Sequence, residues 1–512
     1  MFGSWLSKVL FPITICTLIG VLSLQDAFAR SLQIDDLTRE REQSSILRSL
    51  QLDAFKDPEL LQLFKDASSA LREERYEDAE AAALSLTEKA PDAPQGWHML
   101  GMARVKNGST SGALHALDAA AARYKNNSDP LVIKGDVLRG LGRFDDAEAA
   151  YRRAVEINPD DLRGVEGLGA MLEAGGKADE AITVYQSALA TNPSDITFAL
   201  NTARLQVALD DLSAARETLK RFEASNPENP QVKIALGRVE FLSGNNEAAT
   251  AYFDQAIRIA PENATQYLLK ARAQLNATEF AAAEETLRGA REIFPDDPQV
   301  PFELASLYGV TRDYARAAEV FAAGAKRWPD IMGFHSGLLR ASYRLNDFEA
   351  ALSAARVLSS QPGASAVDHI WHALVLERLE RVDSAITSYD TALELDPANW
   401  LAANNLANLL FDRAPDRALE LARLAHRTAS ENIAVNRTLA WAEFSAGNTE
   451  AALALYDSLA PEASDDPIQL FRHGQVLIEA EEAEAGRILI EKALALDAEF
   501  RGAEDARKLL AE

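Results

Sequence analysis

Apolar residues recur at helical spacing through most of the chain, and no long alternating stretch suited to a strand interrupts them. A small residue follows a longer rhythm: Ala79, Ala113, Ala147, Ala181, Ala215, Ala249, Ala283, Ala317, Ala351, Ala385, Ala418, Ala452 and Gly486. Eleven of the twelve intervals are 34 residues, and Ala385 to Ala418 is 33. Twelve residues earlier lies a second, mostly small column: Ala67, Gly101, Gly135, Gly169, Ala203, Gly237, Ala271, Ala305, Leu339, Ala373, Ala407, Ala440 and Gly474. In the short unit Ala407 precedes its anchor by eleven. Four residues after the anchor comes a larger apolar position, held by Tyr151, Tyr185, Phe253, Phe321, Tyr389 and Tyr456. Twelve after it comes proline, at Pro91, Pro159, Pro193, Pro227, Pro261, Pro295, Pro329 and Pro397.

Each column has a physical reason. Two antiparallel helices approach closely only where small side chains face each other. The larger residue fills the space between one helix pair and the next. Proline removes an N–H and disfavours helix in the residue before it, so it ends the second helix. Polar residues such as Asp160, Asp161, Ser194, Glu228 and Glu262 then open the next helix. Leu339 breaks the small column and leaves the close crossing of its unit unexplained. Pro415 marks an irregular turn in the short unit.

The 34-residue period and these columns resemble the tetratricopeptide repeat, over residues 60 to 498. The resemblance implies an all-α fold: an α-solenoid of about 13 helix-turn-helix units, wound as a right-handed superhelix, with the first helices lining a concave face. Residues 58–498 form the array, 30–57 a helical cap or tether, and 499–512 a terminal capping helix. The packing set is read as Gly101, Gly135, Gly169, Gly237, Ala147, Ala181, Ala249, Ala317 and Ala385.

Residues 1–29 look like a secretory leader: Lys8, an apolar run from Val9 to Leu24, and the small-x-small site Ala27-Phe28-Ala29. The run is shorter than the ~20 residues of a spanning helix, so cleavage after Ala29 and a secreted or periplasmic body are expected. An uncleaved leader would instead anchor the chain in the inner membrane. The mature chain has no further segment apolar enough to span. Its only cysteine, Cys16, lies in the leader, which removes disulfides, thiolate metal sites and a catalytic cysteine from the mature body. With 52 basic and 78 acidic residues the net charge is −26, which argues against nucleic acid as a partner.

No phosphate loop, dinucleotide fingerprint, zincin motif or nucleophile elbow occurs. His369 and His372 lie three apart beside Asp368 and Trp371, at packing positions of an ordinary unit, so no metal is assigned. Carboxylate pairs such as Glu284-Glu285 and Glu481-Glu482 read as solvated faces. No catalytic residue and no cofactor is expected, and the chain is read as a non-enzyme.

One pattern stands out. The position after the small column reads Arg204, Arg238, Arg272, Ser306, Arg340, a basic row in an acidic protein. Members of the family line their concave face there, so the row suits a ligand bearing repeated carboxylates or phosphates. Leu200, Ile234, Leu268 and Phe302, one turn earlier, would add apolar contact. Asn404, Asn405 and Asn408 sit where peptide-binding members hold a backbone or carboxylate. The arginines could equally pair with acids of neighbouring units, and Asn405 could be a packing residue.

The resemblance implies a protein-interaction scaffold that assembles an envelope machine, such as an exopolysaccharide export, pilus or secretion system. Another envelope protein is the expected partner. The rival reading is direct binding of an anionic polysaccharide. Aromatic platforms for sugar are few on the groove columns: Phe302, Tyr343, Phe411, Trp441 and Phe444.

Overall fold

The computed structural model describes residues 57–459 and 466–511. These residues form 27 helices and no strand. Within the units twenty-four of them make twelve hairpins, from Pro58–Arg72 with Tyr76–Lys89 to Pro467–Glu479 with Ala483–Leu496, and Ala503–Ala511 follows as a single helix. Positions 1–56, where the leader and most of the tether are expected, lie outside the described residues. The chain divides into two compact units, one reaching Glu279 and the other beginning at Phe280. The N-terminal unit holds six hairpins and the helix Ala264–Asn276. The C-terminal unit holds the helix Phe280–Ile293, six further hairpins and the terminal helix. Within each unit a helix packs on its chain neighbours, and first helices also touch the first helix of the next hairpin.

Short polar side chains start the first helices. Asp161, Asp195, Asn229 and Asn263 each accept a hydrogen bond from the backbone N–H two residues on. Asp161 is one of the starts expected from sequence, while Asp195, Asn229 and Asn263 stand one residue later than the expected Ser194, Glu228 and Glu262. An aspartate or asparagine oxygen has the reach that this backbone bond needs. Ser365 and Asp368 form a reciprocal capping box on Ala366–Arg378.

The turn inside each hairpin repeats as well. Seven residues after the small column the backbone is left-handed, at Gly108, Gly142, Gly176, Gly244 and Gly447. Glu74, Asp210, Thr278, Arg312, Asn346, Glu380 and Glu481 adopt it without the freedom of glycine. The next residue donates its N–H to a carbonyl five back, as Lys177 does to Leu172, closing a Schellman-type end. The short unit lacks this device. There Ala414 takes φ −151 and ψ 72, and Pro415 opens the second helix, where its missing N–H costs nothing.

Rings of the larger column seat on small residues within their own hairpin and, at Tyr151 and Phe321, on a glycine of the next. A Cβ on Gly135 would lie 2.6 Å from the Tyr151 ring, and one on Gly167 of the next hairpin 2.4 Å from the same ring. An added Cβ would lie 2.2 Å from Tyr185 at Gly169 and 2.6 Å from Phe253 at Gly237, both within one hairpin, and 2.4 Å from Phe321 at Gly337 of the next hairpin. Leu339 is resolved by volume exchange. It is buried in the same cluster as Ala355, which occupies the larger position of its hairpin, so large and small have traded places.

Gly169→Ala should drive a methyl into the Tyr185 ring and destabilise the N-terminal unit by about 1–3 kcal/mol. Gly289→Ala, a helical site with nothing within 4 Å of the added carbon, should stabilise by about 0.5–1 kcal/mol. Urea denaturation of both variants beside the wild type checks the contrast.

Candidate interaction surface on the first helices

The first helix of a hairpin presents one stripe to the second helix and another away from it. The position after the small column lies on the edge of the packed stripe, so its side chain is only partly covered. In the N-terminal unit Arg204, Arg238 and Arg272 come from Ile196–Ala208, Pro230–Leu242 and Ala264–Asn276. Arg340 comes from Met332–Arg344 in the C-terminal unit.

The four arginines stand in different surroundings. Arg204 donates to Glu173 of the preceding hairpin, and the other Glu173 oxygen accepts from the Tyr185 hydroxyl at 3.0 Å. This arginine is therefore tied into the seam between hairpins. Arg238 is only 9% exposed. Burial lowers its pKa, and the neighbouring guanidinium of Arg272 lowers it further. Arg340 donates to the Ser336 hydroxyl at 2.9 Å, and burial alone lowers its pKa. Between Arg272 and Arg340 the column holds Ser306, which turns its hydroxyl back to the carbonyl of Phe302.

The apolar candidates are more covered than an open groove requires. Leu268 is 6% exposed, and Leu200 and Ile234 are half-buried against the cores of their own unit. Phe302 meets Phe321 and Phe334 edge-on, with centroids 5.7 and 5.6 Å away. Its ring thus joins the packing between two hairpins.

Asn404 is 4% exposed and donates to Asn405 at 3.2 Å, while its own Oδ1 accepts nothing. Asn405 donates to the Tyr389 hydroxyl at 3.0 Å, and that hydroxyl donates to Glu377. Asn405 therefore serves the seam between hairpins. Asn408 is half-buried and donates to the Asn404 carbonyl at 2.9 Å and to Thr438 Oγ1 of the next hairpin at 3.0 Å. Thr438, Arg437 and Arg472 did not emerge from sequence. Continued past Arg340, the arginine column reads Leu374, Asn408, Trp441 and Gln475, and it does not contain these three residues.

A second repeated device also went unread. Three tyrosines of the larger column have acid partners on a first helix: Tyr151 with Asp136 at 2.6 Å, Tyr185 with Glu173, and Tyr389 with Glu377. Burial raises the pKa of Asp136 and of Glu377. Elsewhere His372 Nδ1 lies 3.1 Å from the Ser388 hydroxyl, and among the described residues no three metal-ligating side chains cluster. Among the described residues no helix is long and apolar enough to cross a membrane.

Models of the tetratricopeptide repeat match residues 64–129, 134–196, 302–365 and 372–432, and a second set of that repeat matches 172–239 and 240–300. Together they cover most of the chain. Protein FlbA of Caulobacter vibrioides is 27% identical over 264 residues, half of this chain. The match spans 36% of that relative's length. Among solved structures, the APC/C hetero-tetramer Cut9-Hcn1 is similar, with 14% identity, TM-score 0.38, and coverage of 89% of this chain and 97% of that one. Yeast Tom70 is similar at 17% identity and TM-score 0.31, covering 87% of this chain and 99% of that one.

Burial holds the Glu377 carboxyl above its ordinary value of 4.5, so its ionisation opposes folding. Its stabilising contribution is full below pH 4.5 and is lost as pH rises through the raised folded value. Glu377→Gln, neutral throughout, should gain stability relative to the wild type between pH 4.5 and 7. Denaturation midpoints across that range check the sign.

Proposed function

The chain belongs to the tetratricopeptide-repeat family, and from that premise we propose that it is a non-catalytic protein-interaction scaffold of the cell envelope. In this reading residues 1–29 export it, and its first-helix surface gathers an envelope protein into a larger machine such as an export, pilus or secretion system. A solenoid is suited to this work, because its repeated first helices offer a long surface with little conformational cost on binding.

One observation carries the reading. Arg204, Arg238, Arg272 and Arg340 occupy one register of the first helices, three of them in successive hairpins, in a chain of net charge −26. Guanidinium groups at one register of successive first helices would give an anionic partner bidentate hydrogen bonds. Acidic side chains of a partner protein supply that chemistry at the spacing of the hairpins. Arg340 offers a further site of the same kind in the C-terminal unit. Arg204, held by Glu173, contributes less.

Affinity capture from solubilised envelope extract checks this with the full chain, an Arg238→Gln/Arg272→Gln double variant and Arg204→Gln as control. One protein should be enriched by the wild type and by the control, and reduced at least ~10-fold by the double variant. Circular dichroism establishes that all three stay helical. Equal capture by all three baits would remove the arginine pair from the binding surface. Enrichment of an anionic polysaccharide in place of protein would favour direct glycan binding.

A further inference from the structure

Where the hairpin of Pro94–Lys106 and Thr110–Arg123 hands on to the helix Asp129–Gly140, the seam closes over a histidine. His98 is 0% exposed, and both of its ring nitrogens are buried without a hydrogen-bond partner. The Tyr124 ring meets it edge-on, with centroids 5.9 Å apart and planes at 90°. Burial raises the pKa of that tyrosine, which stays neutral. Asp129 opens the next first helix and is itself buried. It is already taken by Arg163 of the following hairpin, which also holds Asp161 at 3.1 Å. Asp161 in turn accepts from the Ser128 hydroxyl at 2.9 Å. His98 thus faces a carboxylate already engaged and the guanidinium that engages it.

An imidazolium in this place has no acceptor for either N–H. Burial opposes its charge, Asp129 attracts it and Arg163 repels it, and the ring's pKa falls from its ordinary 6.5 to about 4. Other charged groups on the helices around it are paired elsewhere: Lys89 with Glu59, Arg104 with Glu80 at 2.8 Å, and Lys134 with Asp118 at 2.5 Å. Arg123 donates to the carbonyls of Pro91 and Ala119, and His115 turns to Trp97, 6.0 Å away. The seam that follows answers acid in the opposite sense. Tyr151 bridges Gly135 and Gly167 and donates to Asp136, whose pKa burial raises, so falling pH favours the closed form there.

We propose that the junction at His98 is a seam opened by acid: protonation of the imidazole releases residues 58–123 from the hairpin that follows, while the later hairpins of the unit stay folded. The device is independent of what the chain binds. Its sign follows from burial. Opening hydrates the ring and restores its ordinary proton affinity, so the open form takes up the proton first as pH falls below 6.5. The bias towards opening grows until the closed form also protonates near pH 4, and above pH 6.5 it is absent. Residues 58–123 make two hairpins, and a repeat array needs about three or more to be stable. Detachment therefore removes the support of this segment, and each later hairpin keeps the neighbour on its other side.

Hydrogen exchange read by mass spectrometry on the full chain tests this at about pH 7.5 and about pH 5, with rates corrected for the pH dependence of intrinsic exchange. Protection of Pro94–Lys106 and Thr110–Arg123 should fall at least ~10-fold at the lower pH, relative to Phe144–Ile157 and Ala178–Thr191. His98→Gln, which cannot take up the proton, should abolish that difference between the two pH values. Arg163→Gln frees Asp129 for the imidazolium and should shrink it. Each variant is compared with itself at the two pH values, so a uniform loss of stability does not enter. If His98→Gln is not helical at the higher pH, His98→Leu and Arg163→Gln carry the comparison. The proposal is overturned by protection that does not change between the two pH values, or by an equal fall in a folded His98 variant. A fall shared by all hairpins of the N-terminal unit would overturn it as well, since that is global acid unfolding.

Discussion

The structure depends on rings seated on backbone. Tyr151 touches Gly135 in its own hairpin and Gly167 in the next, and so spans the seam that turns separate hairpins into a stack. A helical hairpin alone buries too little apolar surface to be stable, so the seam is what makes each repeat viable. Phe321 repeats the cross-hairpin contact on Gly337, while Tyr185 and Phe253 seat on Gly169 and Gly237 within their own hairpins. Because glycine lacks a Cβ, the ring can rest against the helix backbone. The same contact makes the position intolerant, since one methyl group has nowhere to go. Leu339 and Ala355 show that the constraint is on summed volume and not on which helix supplies it.

The tyrosines bring a polar obligation with them. A buried hydroxyl needs a partner, and Asp136, Glu173 and Glu377 provide it from the first helix. Those acids are then committed to the seam, and they recruit others. Glu173 holds Arg204, and Tyr389 holds Asn405. Two residues that could be read as ligand-binding groups are therefore claimed by packing chemistry one step removed. Seams closed by phenylalanine make no such demand, and Phe253 stands in the hairpin that carries Arg238.

The arginines of the first helices differ in their surroundings: burial and the neighbouring Arg272 lower the pKa of Arg238, and Arg472 rests on aromatic rings. Guanidinium groups tolerate such settings better than ammonium groups, because their charge is spread and weakly hydrated. The acidic remainder of the chain limits these positive spots to small areas. Selectivity for a particular anionic segment follows more readily from such spots than from a broadly basic face.

The sequence by itself determined the repeat, its period, the helical pairs and the residues that pack them. Those features depend on contacts within one unit or between adjacent units, and they recur in the same phase from Ala79 to Gly486. The cap positions were legible to within one residue, and the left-handed turns were visible only where glycine marks them. Tertiary structure alone decided what the polar residues of the first helices do. Arg204 and Arg340 hold the same position in two units, yet one meets Glu173 and the other Ser336. Each outcome depends on the side chain a neighbouring turn happens to present. The Asn408–Thr438 bond and the stacking of Arg472 on Trp441 likewise join separate hairpins. A periodic pattern records what units share, whereas a binding surface is made from the places where they differ.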